Sequence, residues 1–564
     1  MAFEWLTENS RKFLESGYLD EGVSPEMRIR DIADYAEEIL GKEGFADKFY
    51  DYMSRGYYSL ASPVWSNFGS HRGLPISCFG SYVSDDMGNI LFTQAEVGMM
   101  SKLGGGTSAY FGALRPRGAP IRNTWISSGA VHFMQLFEKV ISIVSQGSLR
   151  RGNLAAYLPL DHGDADEFLD IATDGNPIQR LTHGVTVKDR WMKEMIDGDE
   201  EKRALWAKVI QRRGEIGYPY IMFSDNANNN TVDVYKDKKL EILASNMCSE
   251  IMLPSNEKWS FVCCLSSVNL LHYDAWKDTD AIETLTYFLD AVMEDFIRKL
   301  EVYRDSDRDD DKQVFTFMER AYNFAKENRA LGLGVLGWHS LLQSKMLPFA
   351  SAEAAKLNVE IMKTIKERSY AASEEMAKEY GEPAILEGYG RRNTTLMAIA
   401  PTTSSAFILG QVSQSIEPLW SNCYVKDIAK LKVTVKNPYL EKLLEEKGHN
   451  TKEVWNSIRD NDGSVQHLIG VLTPEEREIF KTFAEIDQYA IIDQAATRQL
   501  YIDQGQSLNL MINPKTPVKD INALYIHAWK SGIKALYYQH SMNAAQELNR
   551  KKSQQSDTSI SREG

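Results

Sequence analysis

The sequence predicts an α/β fold with a substantial parallel sheet, and three observations carry that prediction. Short apolar runs recur along the chain at AAYLPL, HGVTV, YPYIMF, CLSSVNLL, LMAIAP, SLNLMI and IKALYY. Longer stretches with helical spacing separate them, the alternation that parallel strands and crossover helices produce. With 564 residues, 43% hydrophobic and 25% charged, the chain can bury a large core and has the composition of a soluble globular protein.

The elements follow in order. Residues 1–60 place Ile32, Tyr35 and Ile39, then Phe49, Tyr52 and Met53, at helical spacing, so a helical lead-in is expected. After Ser127 and Ser128, the residues Val131, Met134, Phe137, Ile141 and Val144 form one apolar stripe ending near Gly147, which reads as a single amphipathic helix. The acidic run from Asp305 to Asp311 reads as a solvated loop, and residues 541–564 read as a flexible tail after a body spanning 61–540. Gly332-Leu333-Gly334-Val335-Leu336-Gly337 matches G-x-G-x-x-G. The preceding MERAYNFAKENRA is helical, whereas a dinucleotide turn needs a strand there, so close backbone packing is the better explanation.

Charge and composition exclude several functions. A net charge of −14 opposes a general grip on nucleic-acid polymers. No run of about 18 apolar residues occurs, and the N-terminus lacks a signal-peptide layout, so a cytoplasmic protein without a membrane span is expected. Five cysteines, Cys78, Cys248, Cys263, Cys264 and Cys423, are too scattered for a disulfide scaffold, and no C-x-x-C pair is present for zinc. A di-iron carboxylate site draws E-x-x-H from two helices, but the chain has only Glu446 to His449, so no metal site is expected within it.

The most informative segment is Ser245-Asn246-Met247-Cys248-Ser249-Glu250. If extended, it projects Asn246, Cys248 and Glu250 to one side: an amide to hydrogen-bond, a thiol to carry a hydrogen atom, a carboxylate to act as base. Taken alone, it is better read as a buried structural cysteine beside a capping asparagine. In Phe261 to Leu270, Cys263 and Cys264 face opposite ways on a strand, so only one of them can share a site with Cys248. Cys78 lies apart, in PISCFG. The hydroxyl run Thr402-Thr403-Ser404-Ser405 after Pro401 suits phosphate binding at a helix start and suits ordinary capping equally well. The pair Tyr537-Tyr538 has no meaning by itself, since adjacent tyrosines are common in strands.

Taken in this order, from about Ser62 to Tyr538, these segments resemble the catalytic (large) subunit of class I ribonucleotide reductases, in the short form without the N-terminal ATP cone. The resemblance implies a ten-stranded α/β barrel with a central finger loop carrying Cys248 at its tip. It implies that Cys248 becomes a thiyl radical, that Glu250 acts as base on the 3′-hydroxyl and that Asn246 orients the sugar. Cys78 and Cys263 become the reducing pair and Cys264 a bystander. Ser62, Ser77, Gly106 and Pro401 to Ser405 (Pro401, Thr402, Thr403, Ser404, Ser405) match positions contacting ribonucleoside diphosphates.

By the same resemblance, Asp85, Asp86, Met87, Arg115 and Arg122 match contacts to a nucleotide effector (dATP or ATP, dTTP, dGTP) at a homodimer interface. The Val131 to Val144 stripe matches the dimer helix, and Gly147 to Asn153 the loop that relays effector identity, with Arg150 reading the substrate base. Tyr537 and Tyr538 match a stacked pair that passes a radical inward from a ferritin-like small subunit holding a metal or tyrosyl cofactor. No cofactor is then bound permanently in this chain, and thioredoxin or glutaredoxin is the implied reductant.

Two departures from the family bear on regulation. The chain begins too near the barrel for an activity cone, so dATP inhibition through this subunit is not expected. The family's tail ends in a cysteine pair, whereas this one stops at Ser-Arg-Glu-Gly, and the pair is expected just beyond. Two alternatives share parts of the pattern. An adenosylcobalamin-dependent class II reductase has the same Asn, Cys and Glu but no tyrosine pair. A regulatory relative without catalysis would not need the thiols and Glu250.

Overall fold

The computed structural model describes residues 2–122, 124–146, 150–410, 412–428 and 431–541. The lead-in is helical: α1 (Glu8–Glu15), α2 (Pro25–Leu40) and α3 (Phe45–Ser54). α2 shows how the sequence sets the boundaries. The Ser24 side chain accepts the Met27 N–H, Pro25 occupies the first turn, and Gly41 ends the helix in the left-handed region. Its buried face is Ile29, Ile32, Ala33, Ala36 and Leu40.

Five parallel strands make one side of the barrel: β1 (Cys78–Tyr82), β2 (Gly106–Tyr110), β3 (Leu154–Pro159), β4 (Thr182–Val187) and β5 (Tyr220–Phe223), each paired with the next. The other side begins with β6 (Phe261–Asn269) and β7 (Leu331–Leu336), also parallel. It continues through parallel bridges from Leu333 to Met397 and from Ile399 to Gln506. From there the Leu508 carbonyl accepts the Tyr537 N–H (2.9 Å), next to β8 (Ala535–Leu536). The two sides meet antiparallel at both seams, β6 against β1 with Cys263 opposite Cys78, and β8 against β5 with Ile221 opposite Leu536. That pairing closes the α/β barrel, and within the segment between β5 and β6 residues 246–250 contact both sides, Asn246 through Tyr157 of β3 and Cys248 and Glu250 through Ser507 and Gly505.

All seven strand-like runs of the sequence lie on this barrel or its extensions. The strands at 78–82, 106–110 and 331–336 went unread because they are short and rich in Gly and Ser, which blunts the apolar alternation. β7 is the G-x-G-x-x-G run, preceded by a helix as expected. Its glycines are packing devices: a Cβ on Gly332 would sit 2.5 Å from Leu265 Cδ2 and 3.0 Å from Cys263 Sγ, and one on Gly334 would sit 2.8 Å from the Ala398 carbonyl.

Outside the barrel, α4 (Met87–Lys102) packs beside α5 (Ala130–Ile143), whose buried residues are Ala130, Val131, Met134, Phe137 and Ile141. The predicted stripe therefore faces this subunit's own core. Val144 has already left the helix in extended backbone, and the solvent face of α5 shows Leu136 and Ile143. The acidic run is a correction: α6 (Ala281–Asp305) and α7 (Asp309–Asn328) leave only Ser306–Arg308 between them. Asp309, Asp310 and Asp311 are the first turn of α7, where carboxylates meet the positive end of the helix dipole. Gly147, Ser148, Leu149 and the predicted tail from 542 onward lie outside the described residues.

Candidate active site

The finger is a turn rather than a strand, which corrects the geometry expected for its three key residues. Ser249 adopts φ 66°, and its N–H points back to the Asn246 carbonyl at 3.4 Å. Asn246 Oδ1 accepts the N–H groups of both Glu250 and Ile251, each at 3.1 Å, closing the turn from within. The Tyr157 hydroxyl donates to the Asn246 carbonyl (2.7 Å), and the Ser245 hydroxyl to that of Ile251 (2.8 Å). Strand alternation is thus replaced by an asparagine-centred turn that brings the amide, thiol and carboxylate together.

Each member of the cluster is buried. Asn246 Nδ2 donates to Cys78 Sγ at 3.9 Å, and Cys78 lies opposite Cys263 in the seam. Cys263 and Cys264 do face opposite ways, with Cys264 paired to Leu331 of β7. Cys263 Sγ receives a hydrogen bond from Gln504 Nε2 at 3.3 Å. The Ser507 hydroxyl reaches the Cys248 carbonyl (2.6 Å) and Glu250 Oε2 (3.1 Å), while Glu250 Oε1 has no partner among the described residues. All five cysteines are free thiols.

Electrostatics follow from burial. Loss of solvent pushes Glu250 up to about 7, against the opposing pull of its backbone contact, Asn246 and Ser507. Burial likewise pushes Cys78 well above the ordinary thiol range, aided by the charge of Glu250, and raises Cys263 against the hydrogen bond from Gln504. A carboxyl poised near neutrality beside neutral thiols can take and return a proton while the sulfurs exchange hydrogen atoms or electrons.

Tyr537 is hydrogen-bonded to Cys248, and its ring centroid lies 4.4 Å from that of Tyr538. Tyr220 flanks both rings at 4.8 and 5.2 Å. The buried Arg213 guanidinium donates to the Tyr537 carbonyl (2.8 Å) and the Pro219 carbonyl (2.6 Å), fixing the pair to β5. Tyr538 is partly exposed and contacts His540.

The hydroxyl run forms α8 (Thr403–Ile408), a short helix opened by Thr402 in the left-handed region, with Pro401 before it. Thr402 Oγ1 accepts the Ser415 N–H (2.8 Å), so this hydroxyl supports the loop. Thr403 Oγ1 lies 3.3 Å from Gln414 Oε1, and the Ser405 carbonyl accepts from Ser59. The strand Tyr58–Leu60 pairs with β6 and leads into Ser62, which sits 3.3 Å from the Tyr18 hydroxyl. Ser404 lies in the same short helix. The Ser77 hydroxyl is buried without a partner among the described residues, and its carbonyl accepts the Gly106 N–H at 2.6 Å. A Cβ on Gly106 would stand 3.7 Å from Met247 Sδ of the finger.

The residues matched to an effector site also converge, at the exposed start of α4. Asp86 caps α4 by accepting the Asn89 N–H (2.8 Å), and Met87 is its exposed first residue. Arg115 Nε pairs with Asp85 (2.6 Å), and its Nη1 donates to the Pro120 carbonyl, the base of the turn that holds Arg122 at φ 48°. Arg150 lies in a two-residue strand whose side chains are outside the description.

Sequence reading did not reach Tyr157, Tyr220, Gln504 or Ser507. The only signal available was the run Asp503-Gln504-Gly505-Gln506-Ser507, polar residues leading straight into a strand-like segment.

The chain is similar to known proteins over almost its whole length. Residues 76–202, 195–385 and 384–539 match the family described as "Ribonucleotide reductase, barrel domain", and residues 4–73 match "Ribonucleotide reductase, all-alpha domain". The solved structure of the Actinobacillus ureae class Id ribonucleotide reductase alpha subunit is similar at TM-score 0.90 and 57% identity, covering 96% of this chain and 98% of that one. A ribonucleoside-diphosphate reductase large subunit of Invertebrate iridescent virus 3 is 32% identical over 604 residues, 93% of this chain and 92% of its own length. The subunit alpha of Chlamydia trachomatis is 28% identical over 601 residues, 89% of this chain and 55% of that longer protein. The chain belongs to the ribonucleotide reductase family, as a large, catalytic subunit.

Proposed function

We propose that the chain reduces ribonucleoside diphosphates to 2′-deoxyribonucleoside diphosphates by radical chemistry begun at Cys248. The observation that carries this reading is the unbroken contact from the partly exposed Tyr538 through Tyr537 to Cys248. A thiyl radical needs a one-electron oxidant, and the thiols, carboxyl and amides of the site supply protons, hydrogen bonds and reducing electrons but no oxidant. The oxidant is supplied by a separate ferritin-like small subunit docked over Tyr538. The tyrosine path favours this two-subunit form over an adenosylcobalamin-dependent one.

In this reading Cys248 takes the 3′-hydrogen of the ribose and returns it at the end of the turnover, Glu250 takes and gives back the 3′-hydroxyl proton, and Asn246 orients the sugar. The 2′-hydroxyl leaves as water. Cys78 and Cys263 give up two protons and two electrons and become a disulfide, which thioredoxin or glutaredoxin reduces. Ser62, Ser77, Gly106 and residues 401–405 hold the substrate. Asp85, Asp86, Met87, Arg115, Arg122 and Arg150 serve a nucleotide effector between two copies of the chain. Among the described residues no helix is long and apolar enough to cross a membrane, and a cytoplasmic setting, where thiols stay reduced, suits the chemistry.

Serine substitutions test the reading. Cys248→Ser, Cys78→Ser and Cys263→Ser should each abolish multiple turnover, and Cys264→Ser should retain it. Loss with Cys264→Ser and retention with Cys263→Ser would contradict the assignment.

A further inference from the structure

The two thiols of the seam are not equivalently held. Cys78 Sγ meets an amide, Asn246 Nδ2, only at 3.9 Å, while Cys263 Sγ has Gln504 Nε2 at 3.3 Å. Gln504 is completely buried and locked in place: its Oε1 accepts the Met252 N–H (3.0 Å), its N–H donates to the Met397 carbonyl (3.1 Å), and its carbonyl accepts from Gln499 Nε2 and Lys534 Nζ, each at 2.8 Å. Its two amide hydrogens face three acceptors, Cys263 Sγ and, at 3.0 Å each, the Leu331 carbonyl and Thr395 Oγ1. The Leu331 carbonyl also accepts the Thr395 hydroxyl (3.1 Å). An amide hydrogen can therefore turn fully to the sulfur without leaving that carbonyl unpaired.

A preformed donor at a sulfur matters when that sulfur acquires charge. In thiol–disulfide exchange the leaving thiolate governs which sulfur is attacked, and the better stabilised one departs. We propose that Gln504 is a positioning residue that makes Cys263 the leaving sulfur, so that an external dithiol reductant attacks Cys78. The step balances: a reductant thiolate forms an S–S bond to Cys78, the Cys78–Cys263 bond breaks, and its electron pair leaves on Cys263 as a thiolate that then takes one proton. The second reductant thiol releases Cys78 from the mixed disulfide. The inference rests on the pairing of Cys78 with Cys263 in the proposed function and adds a direction to their re-reduction. The amide also opposes the burial that raises the Cys263 thiol, as a thiolate stabiliser must.

The test uses the full chain, oxidised with diamide and then treated with glutathione, a monothiol that traps the mixed disulfide. Peptide mapping after acid quench reads which cysteine carries glutathione. In the wild type the Cys78 adduct should exceed the Cys263 adduct by about ten-fold, the scale of one charge-assisted hydrogen bond. Gln504→Met and Gln504→Glu should bring the two near parity and slow reduction by a similar factor. Gln504→Glu keeps an acceptor for the Met252 N–H, and near-ultraviolet circular dichroism identifies variants with native packing. Parity in the wild type, or an unchanged ratio in a folded variant, overturns the inference alone. Absence of any Cys78–Cys263 disulfide in the oxidised wild type overturns both it and the proposed pairing.

Discussion

Among the residues of the finger, Glu250 sets the response to pH. Its carboxyl is buried with one oxygen unpartnered, which penalises the ionised form and lifts it to about 7. A base works when ionised, so kcat/KM for reduction should rise with pH across about 7 and then level. A rise centred near the ordinary carboxylate range of about 4.3 would contradict the role. The linkage to folding has the opposite sense. The folded state holds this proton more tightly than the unfolded chain, so the contribution to stability is present below about 4.5 and is lost as pH rises through 7. Glu250→Gln should therefore abolish turnover yet be more stable than wild type at pH 8, by roughly 1–3 kcal/mol in urea unfolding. Asn246, Cys248, Glu250, Cys78, Cys263, Tyr537 and Tyr538 were legible because their side-chain chemistry is distinctive and their order along the chain is shared with a family. Gln504 and Ser507 were not, because a glutamine or serine acquires its role only from what folding sets beside it.

Elements show where local pattern suffices and where tertiary contact overrides it. In α5, Val131, Met134, Phe137 and Ile141 match the expected apolar stripe while Val144 falls beyond the helix, and in α2 Ile32 is fully buried whereas Tyr35 and Ile39 are only partly so, because the small Ala33 and Ala36 let the buried face turn toward them. The finger did not obey its expected extended geometry, because the Asn246 side chain captures two backbone N–H groups and bends the chain. β7 was hidden by the glycines that let it approach β6. Gly332→Ala would press a Cβ to within 3.0 Å of Cys263 Sγ and closer still to Leu265, so a loss of about 1–3 kcal/mol is expected. Gly470→Ala, with open space around the added carbon, should change stability by less than about 0.5 kcal/mol. Equal effects in denaturant titrations of the two variants would contradict the packing account.

For the whole molecule, barrel closure depends on two antiparallel seams between segments far apart in sequence. Periodicity reports which residues a strand buries but not which strand it meets, so the barrel came from the family resemblance and the two antiparallel seams from the structure. Closure also buries groups that disfavour acid. Desolvation depresses His183 and His339 to about 3, and neither ring nitrogen of His183 has a hydrogen-bond partner among the described residues. The unfolded chain gains these protons first, so stability should fall as pH drops from about 6.5 toward 3. His183→Phe, whose ring can occupy the slot between Phe168 and Tyr218, should reduce the drop in Tm between pH 7 and pH 5. An undiminished drop would remove His183 from the account.

The central claim is that Cys248 becomes a radical only through Tyr538 and Tyr537 from a second protein. Cytidine diphosphate reduction, with dithiothreitol as reductant, tests it directly when run with and without the ferritin-like subunit. The expected result is turnover only with that subunit present, lost in Tyr538→Phe. Turnover by this chain alone on addition of adenosylcobalamin, undiminished in Tyr538→Phe, would contradict it.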